Sequence, residues 1–248
     1  MYILYIQTSE YIMAKKFNPR KYTYHFNIGK NIKLGDNIAS WSTLKGSDRI
    51  YIERLGKKVK GTCANSEYCS KDCYVNKTYN RFPKTSKWGH ARNTIGLRTC
   101  PDKVFADLDY QLSHTNRFRV VRINQSGDIE TMQELEMWAT LAIMHPDFTL
   151  YLYTKQFDMA VDFIKHNTLP KNFHINFSIW HEHGVNQYFQ VASHPNVHAF
   201  VYDDGETYID ANDYCRAYIK GKLNHKITCE KCKKCYRSGV KVIYCTSH

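Results

Sequence analysis

From about Phe118 onward, apolar and polar positions alternate between two periods. Short β-branched and aromatic runs read as strands: "FRVVRINQ" (118–125), "FTLYLYT" (148–154), "FHINFSIW" (173–180), "VHAFVYD" (197–203) and "VKVIYC" (240–245). Between the first two, "DIETMQELEMWATLAIMH" places Ile129, Met132, Leu135, Ala139, Ala142 and Ile143 on one helical face, with Asp128 positioned to cap the start. "QFDMAVDFIKHN" repeats the arrangement and has Asn167 as its stop. Upstream, "CPDKVFADLDYQLSHTN" opens with Pro101 in its first turn and carries Val104, Phe105, Leu108 and Leu112 on one stripe. Strands alternating with amphipathic helices call for an α/β fold with a mainly parallel sheet. The strand-to-strand spacing suits a (β/α) partial barrel, TIM-barrel-like, and does not exclude a flat doubly wound sheet. In either arrangement the working edge lies where strands end and helices begin.

Before this series, "KNIKLGDNIASWSTL" (30–44) and "RIYIERLGKKVKG" (49–61) read as an opening strand and a basic hairpin. No repeat or linker divides the chain, so residues 1–248 are expected to form one domain, with 1–27 a peripheral N-terminal extension. No apolar run reaches the roughly 18 residues that a membrane-spanning helix needs. The opening "MYILYIQTSEYIMAKKF" lacks a basic region before its apolar stretch, and a cytoplasmic protein is expected.

Charge and cysteine change the picture. The 248 residues carry 35 Lys and Arg against 23 Asp and Glu, a net charge of +12. Residues 14–60 hold twelve basic and three acidic side chains, and 216–241 hold nine basic against Glu230 alone. That balance attracts nucleic acid or another anionic partner. Tyrosines interleaved with lysines, as in "KYTYHFNIGKN", are suited to stacking single-stranded bases. Nine cysteines in a reducing compartment point to metal rather than disulfides.

Six of the nine fall in two triplets. Cys63, Cys69 and Cys73 lie in "GTCANSEYCSKDCYVNK"; Cys229, Cys232 and Cys235 lie in "TCEKCKKCYRSG". A C-x2-C-x2-C run lets one tight loop present three thiolates to a cubane iron–sulfur cluster, so [4Fe–4S] is the expected cofactor. Tetrahedral zinc is the rival, completed by His225 or another cysteine. Either each triplet seats its own centre, with a fourth ligand from Cys100, Cys215, Cys245 or a histidine, or the two loops share one. Arg122, Asp128 and Lys155 stand at consecutive strand ends, where one pocket is able to receive all three. Taken singly, Asp128 reads as a helix cap and Lys155 as a solvated strand end. His181 and His183, in "WHEHG", read as polar contacts at a cleft.

The ordered set of "NIKLGDNIASWSTLKG", "TCANSEYCSKDCY", "RVVRINQSGDI", "HPDFTLYLYTK" and "CEKCKKCYRSGVKVIYCTSH" resembles the bacteriophage gene product 88 family, from about residue 28 to the C-terminus. The resemblance implies a small relative of the radical-SAM enzymes: an iron–sulfur protein on a partial barrel, phage-encoded and working in the host cytoplasm. The spacing of Cys63, Cys69 and Cys73 departs from the C-x3-C-x2-C loop of those enzymes, and Tyr74 follows the last cysteine instead of an aromatic preceding it. Both departures count against binding of S-adenosylmethionine.

Overall fold

The computed structural model describes residues 24–28, 31–71, 73–203, 209–210, 212–216, 218–219, 222–223 and 226–245. Tyr24 and Phe26 are buried, and their backbone N–H groups donate to Asp107 Oδ2 (3.2 Å) and Gln111 Oε1 (3.0 Å). The expected peripheral extension 1–27 therefore gives up its last residues to the core, because polar side chains more than eighty positions downstream satisfy this backbone.

Next come β1 (Ile38–Ser40) and a hairpin of β2 (Arg49–Ile52) and β3 (Lys57–Lys60), paired antiparallel. Helices α1 (Val75–Arg81), α2 (Trp88–Thr99) and α3 (Pro101–His114) follow. The regular series is β4 (Val120–Ile123), α4 (Met132–Met144), β5 (Thr149–Thr154), α5 (Phe157–His166), β6 (Phe173–Ile179), α6 (Val185–Phe189) and β7 (Val197–Tyr202). A two-residue pair, β8 (Tyr218–Ile219) and β9 (Lys222–Leu223), precedes the short α7 (Cys229–Cys232) and β10 (Val242–Cys245). Six strands form one sheet in the order β1-β4-β5-β6-β7-β10, every neighbouring pair parallel. The mainly parallel α/β sheet is thus as expected. Its order follows the chain without reversal, and among the described residues no pairing of the edge strands β1 and β10 closes a TIM barrel.

Period-two alternation gives the sheet two unlike faces. Leu150, Leu152, Ile175, Phe177, Val197 and Ala199 join the large apolar cluster with Phe105, Leu108, Trp138 and Phe163 of the helices. The opposite face carries Arg122, Tyr151, Tyr153, His174, Asn176, His198 and Phe200, and no helix of the regular series covers it. The segment of the second cysteine triplet does: Cys229, Cys235 and Tyr236 pack against Ile38, Val120 and Tyr151.

Helix α4 departs from expectation at both ends. Thr131 Oγ1 accepts from Glu134 N (3.1 Å), and the Glu134 carboxylate accepts from Glu130 N (3.0 Å), one residue before the cap, so a Thr-x-x-Glu variant of the capping box starts the helix at Met132 and Asp128 does not cap it. Ile143, expected on the buried face, is exposed. Asn167 does end α5, its N–H donating to Phe163 O at 2.9 Å. No helix among the described residues is long and apolar enough to cross a membrane.

Two imidazoles are sealed into the sheet's second face. His174 and His198 stack with Nδ1 and Nε2 3.1 Å apart, and both are fully buried. Burial, with the neighbouring His198, holds His174 down to about 3. An unfolded histidine titrates near 6.5, so between those values the unfolded chain takes up protons that the fold refuses. Stability is expected to fall as the pH drops from about 6.5 toward 3, by on the order of 3 kcal/mol from this pair. Urea midpoints at pH 7 and pH 4 check it: His174→Gln should flatten the difference, and an equal drop in both proteins would count against the pair.

Candidate functional site

The carboxyl ends of β4, β5 and β6 open onto one cavity of about 100 Å³. Its walls include Arg122 and Asn124 from β4 and the residue after it, Asp128 from the following turn, Lys155 just past β5, Ser178 and Trp180. Cys63, Cys69 and Cys73 supply the facing wall. The three strand-end residues singled out from sequence therefore meet in one place, together with the whole first triplet.

Local chemistry explains how each is held. Asp128 is 4 % exposed, and its carboxylate accepts from Ile129 N and Lys155 N, both at 2.8 Å, so it ties the β4 turn to the end of β5. Burial raises its carboxyl to about 6 against the pull of those hydrogen bonds. A group with that value exchanges protons near neutral pH. The Lys155 ammonium donates to Ser178 Oγ (3.2 Å) and stands 5.7 Å from the Trp180 ring centre, so it is not a solvated strand end. The Arg122 guanidinium lies over the Tyr153 ring, 4.7 Å from its centre. The turn between Asn124 and Asp128 is fixed from outside by Thr43 N donating to Ser126 O (2.9 Å), by Asp128 N donating to Thr62 Oγ1 (2.8 Å), and by Tyr74 OH donating to Gln125 O.

The first triplet is carried by a loop in which Cys63 N donates to Gly46 O (3.0 Å) and Asn65 Nδ2 reaches Lys155 O (2.9 Å). Burial pushes the Cys63 thiol up to about 12, and Asp128 adds to the shift. Cys69 is raised by burial as well, with Lys155 opposing.

The second triplet sits elsewhere, on the face of the sheet opposite the large apolar cluster. Thr228 caps α7, Lys233 turns the chain at φ 61, and backbone bonds from Cys229 N to Lys33 O (2.8 Å) and Glu230 N to Leu34 O (3.0 Å) pin the segment beside β1. Asn176 Nδ2 donates to Cys235 O at 3.0 Å. Cys215 joins this group: with Cys229 and Cys235 it packs against Phe200 and Ile243, and its charge, like those of Cys229 and Cys232, acts on Cys235. Burial raises both Cys229 and Cys235. Tyr153 stands between the two places, lining the cavity on one side and packing against Cys229 and Cys235 on the other. The two triplets thus occupy separate positions. Of the other proposed ligands, Cys100 lies 3.4 Å from Tyr24 OH, and Cys245 packs beside Cys215; His225 falls outside the described residues. His183 is sandwiched by Tyr68 and Phe157, and His181 faces Tyr202. Among the described residues, no three His, Cys, Asp or Glu side chains stand close enough together to hold a metal ion as placed.

Residues 24–238 match the family described as Gene product 88. The chain belongs to the gene product 88 family. No curated protein and no solved structure matches it. The part shared with the gene product 88 family begins at the buried Tyr24 and contains both cysteine triplets and the whole cavity. Membership names no metal and no reaction. Sequence reasoning missed Asn124, although period two from Arg122 puts it on the same face, and it left Cys215 as one of several fourth-ligand candidates.

Proposed function

We propose that this member of the gene product 88 family is a phage-type iron–sulfur protein of the host cytoplasm, built on a radical-SAM-like partial barrel, whose substrate enters the cavity lined by Arg122, Asp128 and Lys155. The observation that carries the reading is the convergence of a complete cysteine triplet with those three residues at the carboxyl edge of a parallel sheet. That edge is where parallel α/β enzymes place their chemistry. A sheet ordered as the chain runs, with regular helices on one face, is also what a partial barrel requires.

The donors suit a thiophilic centre by type and number. Cys215, Cys229, Cys232 and Cys235 offer four thiols within electrostatic reach of one another, the set for a fully ligated [4Fe–4S] cluster or for zinc. Cys63, Cys69 and Cys73 offer three at the cavity, which leaves one position for a substrate. A bound cluster would supply electron transfer or a Lewis-acidic iron. The chain's own contribution is to bind and orient an anionic substrate through Arg122 and Lys155, and to move a proton at Asp128.

A second reading rests on the hairpin. Lys57, Lys58 and Lys60 are exposed on β3, and Arg49 and the half-exposed Tyr51 lie opposite them on β2, a pattern suited to single-stranded nucleic acid held by structural zinc elsewhere. Anaerobic purification followed by iron, sulfide and zinc analysis separates the two. About eight irons and eight sulfides per chain, with absorption near about 400 nm, are expected from two cubanes. Zinc in a colourless sample, with DNA or RNA binding that weakens steeply as salt rises, would replace the iron–sulfur reading by the second.

A further inference from the structure

The cavity at the ends of β4 and β5 holds an imbalance of charge and hydrogen bonding. Arg122 is 6 % exposed and Asn124 4 %, yet Arg122 Nε and both polar atoms of the Asn124 amide have no hydrogen-bond partner. Buried polar atoms left in that state cost about 1–3 kcal/mol each, and an unpaired buried charge costs more. Asn124 also holds a left-handed backbone at φ 52, a conformation that collects at ligand sites when the surroundings enforce it. The other cations in the cavity have hydrogen-bond or charge partners. Lys155 and Asp128 act on each other electrostatically, and Lys45 Nζ donates to Asn76 Oδ1. Arg122, whose guanidinium is always protonated, takes part in no ion pair among the described residues. The Tyr153 ring beneath it offsets part of the charge and supplies no acceptor in the plane of the guanidinium.

We propose that this cavity binds a small monoanionic organic carboxylate, held by the Arg122 Nε–H and the Asn124 Nδ2–H, with Asn124 Oδ1 accepting from a donor that the ligand carries beside its carboxylate. The unpaired Arg122 guanidinium calls for an anion, and a phosphate dianion would set more negative charge against Asp128, which lines the same cavity. Two unpartnered N–H groups on residues that line one cavity suit the two oxygens of a carboxylate. A space of about 100 Å³ admits a small acid or the acidic end of a larger one. The inference deepens the substrate reading of this cavity and rests on it for the location.

The test is saturation-transfer NMR of glycolate and of acetate on the full chain at constant ionic strength, with inorganic phosphate, which has no carbon-bound protons to observe, added as a competitor of glycolate. Glycolate should bind saturably, acetate more weakly for want of the neighbouring donor, and phosphate more weakly than glycolate. Asn124→Asp keeps the shape and the tolerance of a left-handed backbone but adds a negative charge, and should weaken glycolate by about tenfold or more. Arg122→Gln should abolish the signal. If the Arg122 variant fails to fold, the Asn124 variant with an unchanged melting temperature decides alone. No saturable glycolate binding, phosphate bound more tightly than glycolate, or unchanged affinity in Asn124→Asp would each overturn the proposal. Metal analysis of the same sample keeps the two readings apart: a metal-free protein that binds glycolate sinks the cluster and leaves the carboxylate site, and a metal-loaded protein that ignores glycolate does the reverse.

Discussion

On the iron–sulfur reading, Cys232→Ala is expected to remove about half of the bound metal and to lower the melting temperature by about 10 °C, on the order of a structural metal's share of folding free energy. The second triplet lies on a short segment held by a few contacts. Helix α7 is four residues long, and the segment is fastened by a Thr228 cap, two backbone bonds to residues 33–34, Asp36 N donating to Glu230 Oε2, Asn176 Nδ2 donating to Cys235 O, and the packing of Cys229, Cys235 and Tyr236 on Tyr151 and its neighbours. Such a short turn cannot sustain itself without outside support. Only half of the metal should go, because Cys63, Cys69 and Cys73 line a cavity that contains no cysteine of the second triplet. Cys69→Ala should remove the other half, with a smaller thermal effect, since its loop is also tied to Lys155 and Gly46. Cys100→Ala serves as the control and should keep full metal, as Cys100 sits beside Tyr24 away from both groups. Loss of all metal from either triplet variant would mean that the loops share one centre. Full metal and an unchanged melting temperature in Cys232→Ala would remove the second site altogether.

Legibility in the sequence followed the range of the interactions. Strands β5, β6 and β7 fall inside the runs that their alternation marks, and Pro101 and Asn167 mark helix ends, because period and capping are local signals. The meeting of Arg122, Asp128 and Lys155 was also readable, since parallel neighbours bring successive strand ends to one edge. Asp128 misled as a cap because Asp and Thr both serve there; Thr131 wins through Glu134 three residues on, which satisfies a second backbone N–H. What the sequence hid were long-range partners. Nothing local tells Tyr24 and Phe26 that Asp107 and Gln111 await them, or places Cys215 beside Cys235 rather than Cys100. The separation of the two triplets likewise depends on which face of the sheet the last segment covers.

Gly127→Ala is expected to destabilise the fold by about 3 kcal/mol, and Gly56→Ala by only about 1 kcal/mol. Both glycines hold a left-handed backbone, φ 82 and φ 60, so both substitutions carry the strain of a side chain in that region. They differ in their surroundings. A Cβ at Gly56, in the turn between β2 and β3, meets nothing within 4 Å, whereas one at Gly127 would stand 1.8 Å from Thr43 Oγ1 and 2.5 Å from Thr62 Oγ1. Neither threonine is free to withdraw: the two hydroxyls are 2.8 Å apart, and Thr62 Oγ1 also receives Asp128 N. The new methyl must push the turn away from them, and the turn carries Asp128 with it. Urea denaturation of the two variants isolates the crowding as their difference, and equal losses would show that the Gly127 turn has room to shift. Because Asp128 joins this turn to Lys155 N across the cavity, the same displacement should weaken binding of a carboxylate at Arg122 in whatever fraction of Gly127→Ala remains folded. Crowding by two hydroxyls at one glycine is therefore what sets the depth at which the acidic and basic residues of the site face each other.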